Sequence, residues 1–215
     1  MILENLNLFF NVLYTLSDIL STKKGGILMA SFTSDTFQST QTHSIYILLT
    51  RSETWFSRLI HLVTSDCYTH ASIGLDGPSG PFYSFARKHK HFALPAGLVE
   101  ERPGIRNRQI PCCLYKLKVS DSVYRRLRQQ LSRMYHQREL YHYNLLGVLS
   151  CYLNRPLRRK NHYFCSQFVA TLLEECGAVE LWKNPDLVRP ADFCRLAALQ
   201  AVHKGPLDSL MAAPT

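Results

Sequence analysis

The chain has 215 residues, 46% hydrophobic and 19% charged, which suits one substantial core and argues against a disordered or low-complexity protein. Its 25 Lys and Arg against 16 Asp and Glu leave a formal charge of +9, which favours acidic partners such as nucleic acid, anionic lipid or an anionic cell-wall polymer without choosing among them. Seven cysteines, an odd number in a chain of this length, do not make the dense framework of a small secreted scaffold, so they read as reduced thiols of a cytosolic protein.

Residues 2–20 are apolar but lack a basic leader and carry Glu4, Asn5, Asn7, Asn11 and Asp18, a pattern that fits neither a signal peptide nor a membrane span. Leu6, Phe9, Phe10, Leu13 and Leu16 recur at helical spacing. Lys23-Lys24-Gly25-Gly26 stands just before Met29 and matches a translated purine-rich bacterial ribosome-binding sequence. Met29 is therefore the expected native start, with 1–28 an extension. Residues 31–42 are rich in Ser, Thr and Gln and read as a linker, so 1–43 is assigned as extension or linker, 44–200 as the folded domain and 201–215 as a tail.

The domain opens with a β-branched, apolar strand at 44–50, followed by a helix carrying Trp55, Phe56, Leu59, Ile60 and Val63. A second strand begins near Tyr68, holds His70 and runs to Asp76; the turn formers Gly77-Pro78-Ser79-Gly80 return the chain as a hairpin partner over 82–86, which places Ser84 beside the His70 strand. A basic run over 87–91 and a Gly- and Pro-containing stretch to Arg108 precede another strand at 110–119. Val123, Leu127, Leu131, Met134 and Tyr135 mark an amphipathic helix expected over 122–142; a more apolar helix follows at 144–152, then a basic loop at 154–160. Cys165, Phe168, Val169, Leu172, Leu173 and Cys176 fall on one helical face that ends at Gly177, and Pro190-Ala191-Asp192-Phe193 starts a short helix to Leu199. Strands cluster in the first half and helices in the second, the pattern of an α+β fold.

A thiol at a helix N-terminus gains thiolate stability from the helix dipole, and a histidine within reach accepts its proton. Cys165 has the first property by position, and its own N–H belongs to the unfilled first turn, where it can stabilise an oxyanion. His70, at the head of a strand, is the candidate base. The order is distinctive, since common cysteine proteases place the cysteine before the histidine.

With His70-Ala71-Ser72-Ile73-Gly74, Phe164-Cys165-Ser166-Gln167-Phe168-Val169 and Pro190-Ala191-Asp192-Phe193 in that order, the chain resembles the circularly permuted branch of the papain-like NlpC superfamily, which includes YiiX-like proteins and the lecithin retinol acyltransferase group. The resemblance spans approximately residues 44–199. It implies a permuted papain-like fold, an antiparallel sheet or small barrel packed against helices, and a cofactor-free cysteine hydrolase or acyltransferase in which Cys165 attacks an amide or ester and His70 moves the proton. These proteins often supply a Glu on the strand after the histidine; here that strand offers Ser84, and Glu100 or Glu101 are the carboxylates that could fold back. Arg158, Arg159 and Lys160, with the 87–91 run, are expected to flank the cleft and select an acidic substrate: a peptide, a cell-wall fragment or a lipid. A membrane surface is the second expected partner, for a cytoplasmic protein peripheral to the membrane.

Two other readings use the same residues. Cys67-x-x-His70 and His162-x-x-Cys165 form two local pairs able to furnish four ligands for a structural zinc. The basic runs at 87–91, 125–133 and 155–160 fit a non-catalytic basic binding module, although they carry no recognised nucleic-acid motif.

Overall fold

A computed structural model describes residues 42–51, 66–87, 96–102 and 109–212, all within the compact unit that spans residues 40–215. The expected N-terminal extension and Met29 start, the helix around Trp55 and Val63, and residues 88–91 of the basic run lie outside the described residues.

Six strands form an antiparallel sheet in the order β4-β3-β2-β1-β5-β8. Strand β1 (Thr42–Thr50) lies inside it between β2 (His70–Gly74) and β5 (Pro111–Ser120), with β3 (Phe82–Arg87) and β4 (Ala96–Glu101) to one side and β8 (Gln200–Pro206) at the far edge. Its unbroken apolar run follows from that place, since Ile45, Ile47 and Leu49 are fully buried on one face while Leu48 is buried on the other. The first face receives two helices, α1 (Asp121–His136) and α3 (Cys165–Glu175), around Leu127, Leu131, Phe168, Val169 and Leu172. The reverse face carries a smaller cluster in which Leu48, Phe82 and Leu114 pack under Leu207 and Leu210 of α4 (Leu207–Ala212).

The sheet packed against helices matches the α+β expectation, with four local departures. The stretch between the basic run and Arg108 contains β4, which no clear alternation announces; its order comes from pairing with β3, Phe82 opposite Glu101 and Ser84 opposite Val99. Helix α1 stops at His136 rather than 142, because the chain turns through a 3₁₀ segment, Arg138–Leu140, into a short strand β6 (His142–Tyr143) that runs parallel to β7 (His162–Tyr163). Tyr141 and Tyr163 then pack on Phe85. The segment after Pro190 is 3₁₀ helix only over Pro190–Arg195. Residues 201–212, expected within a tail, complete β8 and form α4, so the reverse face of the sheet is covered by the chain's own C-terminal part.

Local chemistry explains the helix ends. The Ser120 hydroxyl accepts from the Val123 N–H, and Asp121 sits in the first turn of α1, where a negative charge meets the positive helix end. Helix α3 ends through Gly177 at φ 70°, whose N–H donates to the Glu174 carbonyl; Arg126 donates to the Cys176 carbonyl at 2.9 and 3.1 Å and ties that end to α1. Helix α2 (Leu145–Tyr152) begins where the Asn144 side chain folds over its first turn and accepts from the Gly147 N–H at 3.0 Å.

That cap requires a glycine. A Cβ at position 147 would stand 2.2 Å from Asn144 Nδ2. Gly147→Ala is expected to displace the cap and destabilise the protein by about 1–2 kcal/mol despite the higher helix propensity of alanine. Thermal unfolding measures this; a variant as stable as the parent would show that Asn144 does not cap α2 in this way.

Candidate active site

Helix α3 presents Cys165 from an almost wholly buried setting: every residue from Cys165 to Leu173 is buried. The polar groups of its first turn therefore need partners from protein rather than water. Gln167, fully buried, supplies several at once. Its Oε1 accepts from the Phe164 N–H at 3.2 Å, its Nε2 donates to Asp186 Oδ1 at 2.9 Å, and Asn144 Nδ2 approaches its Oε1 at 3.5 Å. The Ser166 hydroxyl donates to the Val188 carbonyl at 2.7 Å, and Arg158 Nε donates to the same Asp186 oxygen at 3.2 Å. This network fixes the helix start, and with it the thiol.

The histidine reaches the same place from the sheet. The His70 ring and the Cys165 thiol lie close enough for each to shift the titration of the other. The ring Nε2 lies 3.0 Å from both carboxylate oxygens of Glu101 and 3.2 Å from Ser84 Oγ. Strand alternation sets these three residues, from three strands, in phase. Gly74 pairs with Phe82 and Phe82 with Glu101, so stepping by two residues puts His70, Ser84 and Glu101 on one face of the sheet.

Of the candidates for the third position, Glu101 is thus the carboxylate on the ring, while Glu100 pairs with Arg102 at 3.0 Å. Ser84, fully buried, stands beside the same ring nitrogen and helps to hold Glu101 ionised. At 3.2 Å from Nε2, it is a positioning residue for the pair.

The electrostatics favour a charged thiol and ring. Burial pushes the His70 ring down, but the Glu101 charge, the Cys165 thiolate and hydrogen bonds to both raise it well above the ordinary imidazole value. Burial pushes the Cys165 thiol up, yet the hydrogen bond and charge of His70 and the backbone N–H groups of Ala71 and Ser166 lower it overall. Burial likewise raises Glu101, and His70 with Ser84 outweigh it. The thiolate–imidazolium pair therefore exists between the lowered Cys165 value and the raised His70 value, and the pair titrates as a unit.

Cys165 sits in an open depression lined by Tyr143, Val148, Tyr152, Phe164, Arg189 and Pro190. Burial is the largest cause keeping the Tyr143 and Tyr152 phenols protonated, with the nearby Cys165 charge acting in the same direction. They offer hydroxyl groups in a mixed wall that also holds Thr69, Ser166 and Arg189. Arg189 pairs with Asp66 at 3.5 Å.

Arg158, Arg159 and Lys160 do not line this depression. Arg158 is held by Asp186, by Glu175 at 3.8 Å and by Thr171 Oγ1 at 3.5 Å, so its role here is to neutralise Asp186 behind the helix start. The backbone of Arg159 pairs with His162, and the Lys160 carbonyl meets His162 Nδ1 at 2.7 Å. Arg87 ends β3, and its side chain lies outside the described residues.

The four residues of the zinc reading do not converge. Cys67 is exposed, the His162 ring packs against His142 at a tilt of 48° with centroids 5.2 Å apart, and the described residues contain no group of three or more His, Cys, Asp or Glu placed to hold a metal ion. All seven cysteines are free thiols.

Compared with protein-family models, curated proteins and solved structures, the chain has no match.

Two predictions follow from the geometry. Alkylation of Cys165 by iodoacetamide, followed against pH by mass spectrometry, should inflect below the ordinary thiol range. Glu101→Gln removes the charge that holds the imidazolium, so the inflection should move up and the rate at neutral pH fall about tenfold; an unmoved profile would separate Glu101 from the thiol. Gln167→Leu leaves the Phe164 N–H without its partner and Asp186 with Arg158 alone, and should cost about 2–4 kcal/mol in a denaturant titration; a cost within error would mean that water replaces the amide.

Proposed function

We propose that the protein is a cysteine hydrolase or acyltransferase with a permuted papain-like arrangement, acting on an amide or ester through an acyl-thioester on Cys165. The single observation that carries this reading is the placement of His70 between the Cys165 thiol and the Glu101 carboxylate. That sequence of groups is what a thiol nucleophile needs: a base in contact with sulfur and an acid residue that fixes the ring and stabilises its charge.

In the proposed reaction the Cys165 thiolate attacks the carbonyl carbon. The developing oxyanion takes hydrogen bonds from unfilled N–H groups at the start of α3, that of Cys165 first among them. His70 in its imidazolium form gives its proton to the leaving nitrogen or oxygen, and the C–N or C–O bond breaks to leave a thioester. A water or another acceptor, deprotonated by His70, then attacks the thioester and returns the thiolate. Glu101 stays ionised throughout and holds the ring, while Ser84 steadies Glu101. The aromatic side chains Tyr143, Tyr152 and Phe164 around Cys165 suit an acyl group with a planar portion next to the reacting carbonyl.

Incubation with an activated p-nitrophenyl ester, read by intact mass, should trap an acyl adduct on the wild-type protein that hydroxylamine removes, as expected of a thioester. Cys165→Ala should abolish the adduct, and His70→Ala should slow its formation by about 10²-fold or more. An adduct that persists in Cys165→Ala, or equal rates in the His70 variant, would overturn the reading.

A further inference from the structure

Helix α2 is apolar over most of its circumference, with Ser150 and Tyr152 its polar side chains, yet only one side of it is covered. Gly147, Val148 and Cys151 are buried, and Val148 and Cys151 line the depression at Cys165. The opposite side is open to solvent: Leu145, Leu146, Leu149 and the C-capping Leu153 are 52%, 57%, 61% and 65% exposed. At about 100° per residue these four fall within an arc of about 100°, so they form one ridge along the helix. Leu140, 57% exposed, precedes it in the chain. Trp182, 52% exposed, lies on the segment leading into the Pro185–Leu187 turn that packs against α2.

Four half-exposed leucines on two turns of helix are a costly surface for water and mark an interaction site. The shape and charge of the surroundings identify what covers it. The leucines project as a ridge, and a lipid interface accepts such a projection without a matching groove. Directly after the ridge come Arg155 and Lys160, both exposed, in a chain of net charge +9; Arg158 is not counted, because Asp186 and Glu175 already hold it. Leucines on one face with cations at the end of the helix and a nearby tryptophan are the features of a helix lying in a membrane interface. Insertion is shallow: α2 is about 12 Å long, and among the described residues no helix is long and apolar enough to cross a membrane.

We infer that the Leu145–Leu153 ridge docks the protein on an anionic lipid surface. The buried side of the same helix walls the depression at Cys165, so docking brings that depression to within about one helix diameter, 10–12 Å, of the lipid headgroups. The docking rests on the ridge and its charges, and it stands whether or not Cys165 forms an acyl-enzyme.

The test is co-sedimentation of the full chain with phosphatidylcholine vesicles, with and without phosphatidylglycerol, at low and high salt. The wild-type protein should bind the phosphatidylglycerol vesicles, and less so as salt rises. Leu145→Gln with Leu149→Gln should lower the partition coefficient about tenfold or more, and Arg155→Glu with Lys160→Glu should remove the preference for phosphatidylglycerol. Both variants change exposed side chains, and an unaltered melting temperature checks that each folds; Leu149→Gln alone serves if the pair does not. Cys165→Ala should bind like the wild type, which separates docking from the proposed chemistry. Failure of the wild-type protein to bind either vesicle, or binding undiminished by the leucine substitutions, would overturn the inference. So would self-association in sedimentation velocity that the leucine substitutions abolish without vesicle binding, since the ridge would then join two copies of this chain.

Discussion

Helix α3 is buried along nearly its whole length and begins with a polar, chargeable atom. A buried helix N-terminus exposes unfilled N–H groups to a medium with little water, and each needs a partner. Here the protein builds a network behind the helix start: Gln167 turns back on the Phe164 N–H, Asp186 and Asn144 hold Gln167, and Arg158 neutralises Asp186. The arrangement determines where α2, the 160s loop and the Pro185–Leu187 turn sit, because each contributes an atom to it. It also leaves the Cys165 end of the helix facing the sheet rather than occupied by its own caps.

On the sheet side the constraint is charge. A thiolate, an imidazolium and a carboxylate share a site in which His70 and Cys165 are largely removed from solvent, the Cys165 residue being 6% exposed. Any one of them alone would be pushed to its neutral form by burial. Held in line, each stabilises its neighbour: Glu101 raises His70, His70 lowers Cys165, and the N–H groups of Ala71 and Ser166 add to the second effect. Removing the middle group leaves two negative groups with no common partner. The electrostatics therefore belong to the trio.

The contrast between the two faces of α2 links this site to the surface. A short helix this rich in leucine would normally be enclosed. Its cap on Asn144 and its packing beside Phe164 hold it at the rim, one face on the depression and the other in solvent. The same network that fixes α3 thus also orients the exposed leucine ridge, since Asn144 belongs to both.

The helix carrying Cys165, the strand carrying His70 and the hairpin that brings Ser84 alongside are legible from local pattern, because a 3.6-residue apolar period, a 2-residue alternation and a run of turn formers are each written within a few residues. The α+β class follows from their order. Glu101 is less legible: Ala96–Glu101 becomes a strand through its pairing with β3, and only that register sets the carboxylate rather than Glu100 on the His70 face. Arg158 gives no local sign that its charge is directed to Asp186 behind the helix, and the apolar pattern of α2 does not tell which side is covered. Sequence determined the elements and the types of group they carry, because those depend on neighbours along the chain. Which carboxylate meets the ring, which arginine is neutralised and which leucines face solvent were decided by tertiary structure, because each depends on residues distant in sequence.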